Sequence, residues 1–177
     1  MTVLAGPFAI AAALLLLGGV LKAARPHDTA TALRGVGLPV SPLLVRIGGI
    51  AEATIGAAAL VTGGTVSAVL VALSYAAFLT FVGVALHRQI PVATCGCFGK
   101  ADTPPTRVHL AVNLVAVVAA VTVAVDPGVG IVDTLRAQPL AGLPYVLLVT
   151  LGVALVYLAL TNLPRTLALV PTTRGQR

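Results

Sequence analysis

The residues with the clearest chemical potential are Cys95 and Cys97, which are the only cysteines in the chain. They stand one residue apart in the stretch Thr-Cys-Gly-Cys-Phe-Gly-Lys. Gly96 and Gly99 free the backbone, as a cysteine pair at this spacing requires if its two sulfur atoms are to meet. A disulfide that closes so small a ring is strained, and strained disulfides are typically oxidising and labile. The motif therefore favours thiol–disulfide exchange over a structural cross-link.

The sequence around these cysteines is basic. Lys100, Arg88 and Arg107 lie in the same predicted loop, with His87 and His109 at its edges. Cations near a thiol stabilise the thiolate, which is the attacking species in disulfide exchange. Two other interpretations stay open. One is a metal site in which both cysteines and both histidines are ligands, although their spacing matches no standard zinc pattern. The other is an inert turn in which the cysteines act as small hydrophobic residues.

A second candidate is Glu52, which lies within an apolar run. A carboxylate at that depth of a membrane costs about 2.5–3.5 kcal/mol. We therefore expect Glu52 to face the interior of a helix bundle and to be paired or protonated. Gly48 and Gly56 share its helix face, and such small neighbours let another helix approach closely. Glu52 is a candidate proton relay or cofactor-orienting group; the alternative is a protonated carboxyl group that is hydrogen-bonded between helices.

Two further polar residues lie close to the cysteines. His109 and Asn113 are four residues apart and share one face at the start of the fourth apolar run. His109 is a candidate to shuttle protons to a leaving thiolate, or else an imidazole among the lipid headgroups. Asn113 is expected to hydrogen-bond between helices. Tyr75, Phe78 and Phe81 either line a quinone pocket or pack in the core.

The composition restricts the class of protein that must hold these residues. The chain has 177 residues, of which 58% are hydrophobic and 9% are charged. Soluble domains carry about 25% charge, and disordered chains are far less apolar. The net charge of +6 is dispersed and accompanied by no Trp, so nucleic acid is not an expected partner. What remains is an integral protein of the lipid bilayer.

Five apolar runs are long enough to cross a hydrocarbon core of about 30 Å as helices. They span residues 3–21, 43–61, 66–86, 108–125 and 143–163. We predict an all-α, polytopic membrane helical bundle with a four-helix core and a fifth C-terminal helix. It forms one domain over residues 1–163, followed by a polar tail over residues 164–177.

Two long loops connect these helices, over residues 22–42 and 87–107. They flank the hairpin of the second and third helices, which turns at Gly63-Gly64. Both loops therefore emerge on the same face of the membrane, where one site can draw on both. The first helix is expected to be retained, because Lys22 spoils the cleavage site of a signal peptide.

The basic residues predict a sidedness, since ten of the eleven lie on one face. The positive-inside rule then places the N-terminus outside and the cysteine loop in the cytoplasm. The excess of Arg over Lys hints at a GC-rich bacterial genome, so the expected location is a bacterial cytoplasmic membrane. The other face holds Arg136 beside Asp126 and Asp133. The ten basic residues on the first face are Lys22, Arg25, Arg34, Arg46, Arg88, Lys100, Arg107, Arg165, Arg174 and Arg177.

The Cys-Gly-Cys-Phe-Gly segment, between a helical hairpin and the fourth helix, resembles the MauE family of methylamine-utilisation membrane proteins, which is related to DoxX-like proteins. The stretch from Glu52 to Gly56 is similar to the Glu-x-x-x-Gly pattern of the family, and Asn113 matches an Asn early in the fourth helix. Where many members have Arg before that Asn, this chain has Val112. The resemblance covers the first four helices.

The resemblance implies a membrane thiol–disulfide oxidoreductase or its accessory. The family is associated with maturation of a disulfide-rich dehydrogenase subunit, and its members often accompany a thioredoxin-like partner. The resemblance also implies cysteines on the oxidising side of the membrane, where disulfides persist, opposite to the charge rule. The helix order looks like vitamin K epoxide reductase, which passes electrons from a cysteine pair to a quinone, so quinone is a candidate cofactor by architectural analogy alone.

We therefore predict that the chain exchanges disulfides with a thioredoxin-fold redox protein or a disulfide-bearing client. Whether it is itself an enzyme stays open. The alternatives are a non-catalytic scaffold that recruits a redox partner and a small transporter with Glu52 as its ion site. No metal is predicted. The predicted catalytic residues are Cys95, Cys97, His109 and Glu52, and the predicted supporting residues are Gly96, Phe98, Gly99, Lys100, Arg107 and Asn113.

Overall fold

The structure is a computed structural model that describes residues 4–89, 104–127, 130, 132, 135–136 and 139–169, with side chains in the last helix from residue 142 to residue 162. Among these residues, five helices are long and apolar enough to cross a membrane. The predicted all-α membrane bundle is confirmed. The main helices are α1 (Ala5–Ala24), α2 (Pro26–Gly35), α3 (Pro42–Thr62), α4 (Thr65–His87), α5 (Arg107–Val125) and α6 (Pro139–Leu169).

Local sequence signals set the ends of the membrane-spanning helices. The Ser41 hydroxyl accepts a hydrogen bond from the Leu44 backbone N–H and caps α3, and Pro42 stands in the first turn, where its missing N–H costs nothing. Gly63 ends α3 with a φ of 60°, a left-handed conformation that favours glycine. The predicted turn at Gly63-Gly64 is confirmed, since α4 begins at Thr65.

The short helix α2 lies in the stretch that the sequence predicts to be a loop. Its ten residues include charged and polar side chains, so neither length nor apolarity marks it as a membrane span. One face, containing Pro26, Thr29, Ala30 and Ala32, is buried. The helix packs against α3 and α1, and its burial against those neighbours stabilises a segment that would be marginal alone.

The last helix is longer than the predicted fifth run. It begins at Pro139 and continues to Leu169, so the predicted boundary between domain and tail at residue 163 lies within a helix. Its contacts are mainly with α1, and Leu147, Leu151 and Leu155 are exposed on its outer side. In a bilayer, such a face contacts lipid. The prediction of a fifth helix added to a four-helix core therefore agrees with its sparse packing.

Helix α1 is the centre of the bundle, and its most extensive partner is α3. Glycines make this contact close. A Cβ atom on Gly49 would lie 2.7 Å from the carbonyl oxygen of Gly19 and 2.8 Å from the backbone nitrogen of Ala23. A Cβ on Gly56 would lie 2.6 Å from the Ala12 carbonyl oxygen. The two helix backbones therefore touch directly, as in small-residue packing of membrane helices.

The predicted contact face of α3 is wrong at one position. Gly48 is exposed, and a Cβ atom added to it would meet nothing within 4 Å. The stripe that faces α1 contains Gly49 and Gly56, with Glu52 between them, and therefore follows the i, i+3, i+7 spacing of a helix face. A strict repeat of four drifts around the helix axis, which carries Gly48 away from α1.

Candidate functional site

Lys22 and Glu52 form an ion pair inside the bundle. Lys22 lies in the last turn of α1 and Glu52 near the middle of α3. The Lys22 Nζ donates a hydrogen bond to Glu52 Oε2 at 2.7 Å, and the side chains are only 7% and 19% exposed. Glu52 is therefore paired, as expected from the cost of a lone carboxylate within a membrane.

Lys22 is a site residue that the sequence did not single out. The sequence indicates this residue only indirectly, because a buried carboxylate needs a cation and Lys22 directly follows an apolar run. The glycine contact explains how the two charges meet. A Cβ on Gly49 would lie 3.0 Å from the Lys22 Cβ, so the last turn of α1 rests on α3 one turn away from Glu52.

Aromatic side chains border the ion pair. The Lys22 Nζ lies 4.1 Å from the centroid of the Phe78 ring, within the range of a cation–π interaction. Tyr75 packs edge-to-face on Phe78, with 5.7 Å between the ring centroids, and its hydroxyl donates to the Ala11 carbonyl at 2.8 Å. Tyr75 is thus a core residue, whereas Phe78 and the nearby Phe81 line a cavity.

His109 caps the start of α5. It forms a capping box with Thr106, in which the Thr106 backbone N–H donates to His109 Nδ1 at 3.3 Å. Because an amide can only donate, Nδ1 is the acceptor, and the proton of the neutral ring lies on Nε2. The expectation of an imidazole among the headgroups is wrong, since His109 is only 2% exposed. The sequence did not reveal this role, because a capping box usually has Glu or Gln at this position.

A small cavity of about 30 Å³ lies at the centre of the bundle. It brings together Glu52, Tyr75, His109 and Asn113, four residues that the sequence selected, and adds Lys22. Its volume exceeds the roughly 10–15 Å³ that a cavity needs to hold one water molecule. These polar side chains from α1, α3, α4 and α5 therefore surround a space in which a water molecule would find several partners.

A larger cavity of about 350 Å³ lies between α2, α3 and α4, and we call it the lateral cavity. Lys22, Glu52 and Phe78 line both cavities, so the ion pair separates the central space from the lateral one. The other walls of the lateral cavity are mostly apolar and include Leu33, Leu38, Val40, Leu44, Val45, Ala77 and Phe81.

The predicted cysteine site lies outside the described residues. Its members there are Cys95, Gly96, Cys97, Phe98, Gly99 and Lys100. The chain enters this segment after Gln89 and leaves it before Pro104. Two predicted supporting residues are described: Asn113 lines the small cavity, and Arg107 is exposed at the first position of α5.

The helix ends on either side of the cysteine segment lie at the end of the bundle that contains Lys22. Ala32 of α2 packs against Ala85 near the end of α4. Arg46 of α3 donates through Nε to the Ala23 carbonyl of α1 at 3.1 Å, so these helix ends are together. His109, in the first turn of α5, lines the same small cavity as Lys22. The sequence prediction that the two long loops share one face agrees with this arrangement.

The family model for methylamine utilisation protein MauE matches residues 1–126. The match includes α1 to α5, and with them the ion pair, His109, Asn113 and the cysteine segment. No curated protein and no solved structure matches the chain. The helix α6 lies beyond the matched residues, in agreement with its sparse packing on the bundle. The chain therefore belongs to the MauE family of methylamine-utilisation membrane proteins.

Proposed function

We propose that this multi-pass membrane protein is a thiol–disulfide oxidoreductase, or the membrane accessory of one. It exchanges disulfides through Cys95 and Cys97 with a thioredoxin-fold partner or a disulfide-bearing client. The observation that carries the proposal is the position of the only two cysteines in the sequence. Both cysteines lie in the segment of the sequence that connects α4 to α5. Those two helices contribute Phe78 and His109 to the surroundings of the buried ion pair.

The charges next to the cysteine segment support a reactive pair. Arg88 and Arg107 are exposed on either side of it, and Lys100 is three residues after Cys97 in the sequence. Cations favour the thiolate form of a cysteine. We do not propose cation transport through Glu52, because the Lys22 ammonium at 2.7 Å already balances its charge.

The exchange step balances in atoms and electrons. A thiolate of the partner attacks the Cys95 sulfur of the oxidised pair, a mixed disulfide forms, and Cys97 leaves as a thiolate. A second partner thiolate then attacks the mixed disulfide and releases the Cys95 thiolate. Two electrons have moved to the cysteine pair, and the partner has gained a disulfide. The exchange is reversible: in the other direction the Cys95 thiolate attacks a disulfide of the partner and, by analogy with other redox pairs, Cys97 then resolves the mixed disulfide.

We assign positioning roles to the buried polar residues. His109 accepts at Nδ1 from Thr106, so it could become a cationic acid only by losing its cap. Its proposed task is to fix the start of α5, where the cysteine segment ends. Glu52 and Lys22 hold α3 against α1, and Asn113 lies one turn deeper than His109 on the same side of α5.

The proposal is tested by trapping the mixed disulfide. Cells that express tagged Cys97→Ser, Cys95→Ser or the double variant are quenched with acid, alkylated and analysed on non-reducing gels. We expect Cys97→Ser to accumulate a reducible adduct with a thioredoxin-fold or disulfide-bearing protein, because its Cys95 thiolate attacks a disulfide of the partner and no Cys97 thiolate remains to displace the partner. Cys95→Ser should show little adduct, and the double variant none. Equal behaviour of the three variants, together with full methylamine utilisation in the cells, would favour the non-catalytic scaffold.

The charge rule also predicts which side the cysteines face. Lys22 no longer counts as a loop charge, because it is paired inside the bundle, but nine of the ten basic residues on that face remain. We therefore expect the N-terminus outside and the cysteine loop in the cytoplasm. Gently reduced intact cells are treated with a membrane-impermeant maleimide. Labelling only after lysis is the expected result, whereas labelling before lysis would place the cysteines on the oxidising side.

A further inference from the structure

The lateral cavity has the dimensions and the position of a site for a ligand from the bilayer. Its volume of about 350 Å³ falls within the range of small-molecule pockets, about 300–1,000 Å³. Leu44, Gly48 and Ala77 line it and are exposed on the membrane-spanning helices α3 and α4. A ligand would therefore enter between these helices from the lipid, and α2 covers the cavity towards the membrane surface.

The inner end of the cavity favours a neutral polar head. Lys22 and Glu52 already neutralise each other, and a charged head would have to break this pair or remain unpaired at high cost. An ammonium has three N–H donors, and within the described part of the chain Glu52 is the one side chain that accepts from Lys22. Lys22 can therefore donate a further hydrogen bond to a carbonyl oxygen.

The walls favour a flat, apolar ring. Phe78 and Phe81 lie along α4 on one side of the cavity, and Leu33 of α2 and Leu44 of α3 contribute aliphatic surface on the others. Aromatic rings pack well against flat rings in offset or edge-to-face geometry. A phospholipid fits this cavity poorly, because its negatively charged phosphate would lie at an inner end where the Lys22–Glu52 pair has no net positive charge.

The proposed redox function requires an electron acceptor of this kind. Reoxidation of the Cys95–Cys97 dithiol breaks two S–H bonds, forms one S–S bond and releases two electrons and two protons. A quinone takes up both electrons and both protons at its two carbonyl oxygens and becomes a quinol. Quinones are neutral, flat, rich in carbonyl oxygen and soluble in the bilayer, which are the properties that the lateral cavity selects.

We infer that the lateral cavity binds the ring of a membrane quinone, with Lys22 as hydrogen-bond donor to a quinone carbonyl and Phe78 and Phe81 against the ring. The choice of a quinone rests on the proposed thiol–disulfide function, whereas the binding site rests on the cavity and its ion pair. Binding can therefore be measured apart from any redox activity.

The test is photochemical cross-linking of the full chain in nanodiscs that contain no quinone. An azido-ubiquinone analogue is added, the sample is illuminated, and the labelled peptides are identified by mass spectrometry. We expect labelling in α2, α3, α4 or the last turn of α1 around Lys22 that unlabelled decylubiquinone removes. Labelling confined to the remainder of α1, α5 or α6, or competed equally well by added phosphatidylglycerol, would overturn the inference and indicate a lipid site.

Two matched variants locate the site. Ala77→Phe adds a ring to an exposed alanine of the lateral cavity, and we expect it to reduce specific labelling by about tenfold or more. Ala111→Phe adds the same ring to an exposed alanine that lines a different, apolar cavity beside α1 and α6, and should leave labelling unchanged. Equal losses in the two variants would contradict the assignment.

The cysteine-free variant separates this inference from the proposed function. Cys95→Ser/Cys97→Ser should still be labelled, because the cavity does not contain the cysteines. Lys22→Met/Glu52→Met, which removes the donor and leaves no buried charge, should lose labelling. If wild-type protein forms mixed disulfides but is not labelled, the quinone site is wrong and the proposed function stands. If the protein is labelled but forms no mixed disulfide, the proposed function is wrong and the quinone site stands.

Discussion

Replacing Glu52 by Gln is expected to destabilise the protein by about 3–5 kcal/mol, because the Lys22 ammonium would remain buried without its carboxylate. From the sequence alone, the neutral amide would be expected to fit the same hydrogen-bonded position. The ion pair at 2.7 Å reverses that expectation. Lys22→Met should cost a similar amount, since it leaves the carboxylate unpaired and removes the cation from the Phe78 ring.

The double variant Lys22→Met/Glu52→Met should recover most of this loss, since apolar residues often replace a buried ion pair without net cost. Unfolding in detergent is measured for the wild type, both single variants and the double variant. Thr54→Ala serves as a control, because Thr54 is exposed on the same helix and its hydroxyl bonds only to the Ile50 carbonyl among the described residues. Strictly additive losses in the double variant would show that the two charges are not coupled.

A second large effect is expected at Gly49. Adding a single methyl group in Gly49→Ala would push against backbone atoms of Gly19 and Ala23 less than 3 Å away. Helix backbones cannot move aside as a flexible side chain can, so α1 and α3 must separate. We expect a loss of about 1–3 kcal/mol, the usual cost of overpacking.

The adjacent glycine provides the control for this prediction. Gly48→Ala meets nothing within 4 Å and should be neutral or stabilising by up to about 1 kcal/mol, because alanine favours a helix. Both variants are unfolded under the same detergent conditions. Equal stability of Gly48→Ala and Gly49→Ala would mean that α1 and α3 are not in backbone contact.

The membrane helices follow directly from the sequence because lipid imposes a simple rule of length and apolarity. The runs that begin near Leu43 and Val66, for example, become α3 and α4 with ends shifted by one residue. The helix α2 could not be predicted in this way. Its ten mixed residues satisfy no membrane rule, and it is stabilised by burying Ala30 and Ala32 against neighbours that only the fold supplies.

One half of the ion pair can also be predicted from the sequence, because lipid imposes an energetic cost on a buried charge. The cost of a buried carboxylate selects Glu52 without any structure, but its partner lies thirty residues away. Only the packing of α1 on α3 reveals that Lys22 is the residue that neutralises it. His109 illustrates the opposite case, because its residue type indicates proton chemistry, whereas its Nδ1 is engaged by the backbone of Thr106.

The pairing of Lys22 with Glu52 has a consequence for how the chain enters the membrane. Lys22 is synthesised first, and its ammonium must stay near the interface, on a flexible side chain, until the carboxylate arrives. Neither charge is neutralised in the lipid before α1 and α3 are both present. We therefore expect the insertion machinery to release these two helices together as one unit. Loss of either charge would then lower the amount of protein in the membrane before it affects any reaction.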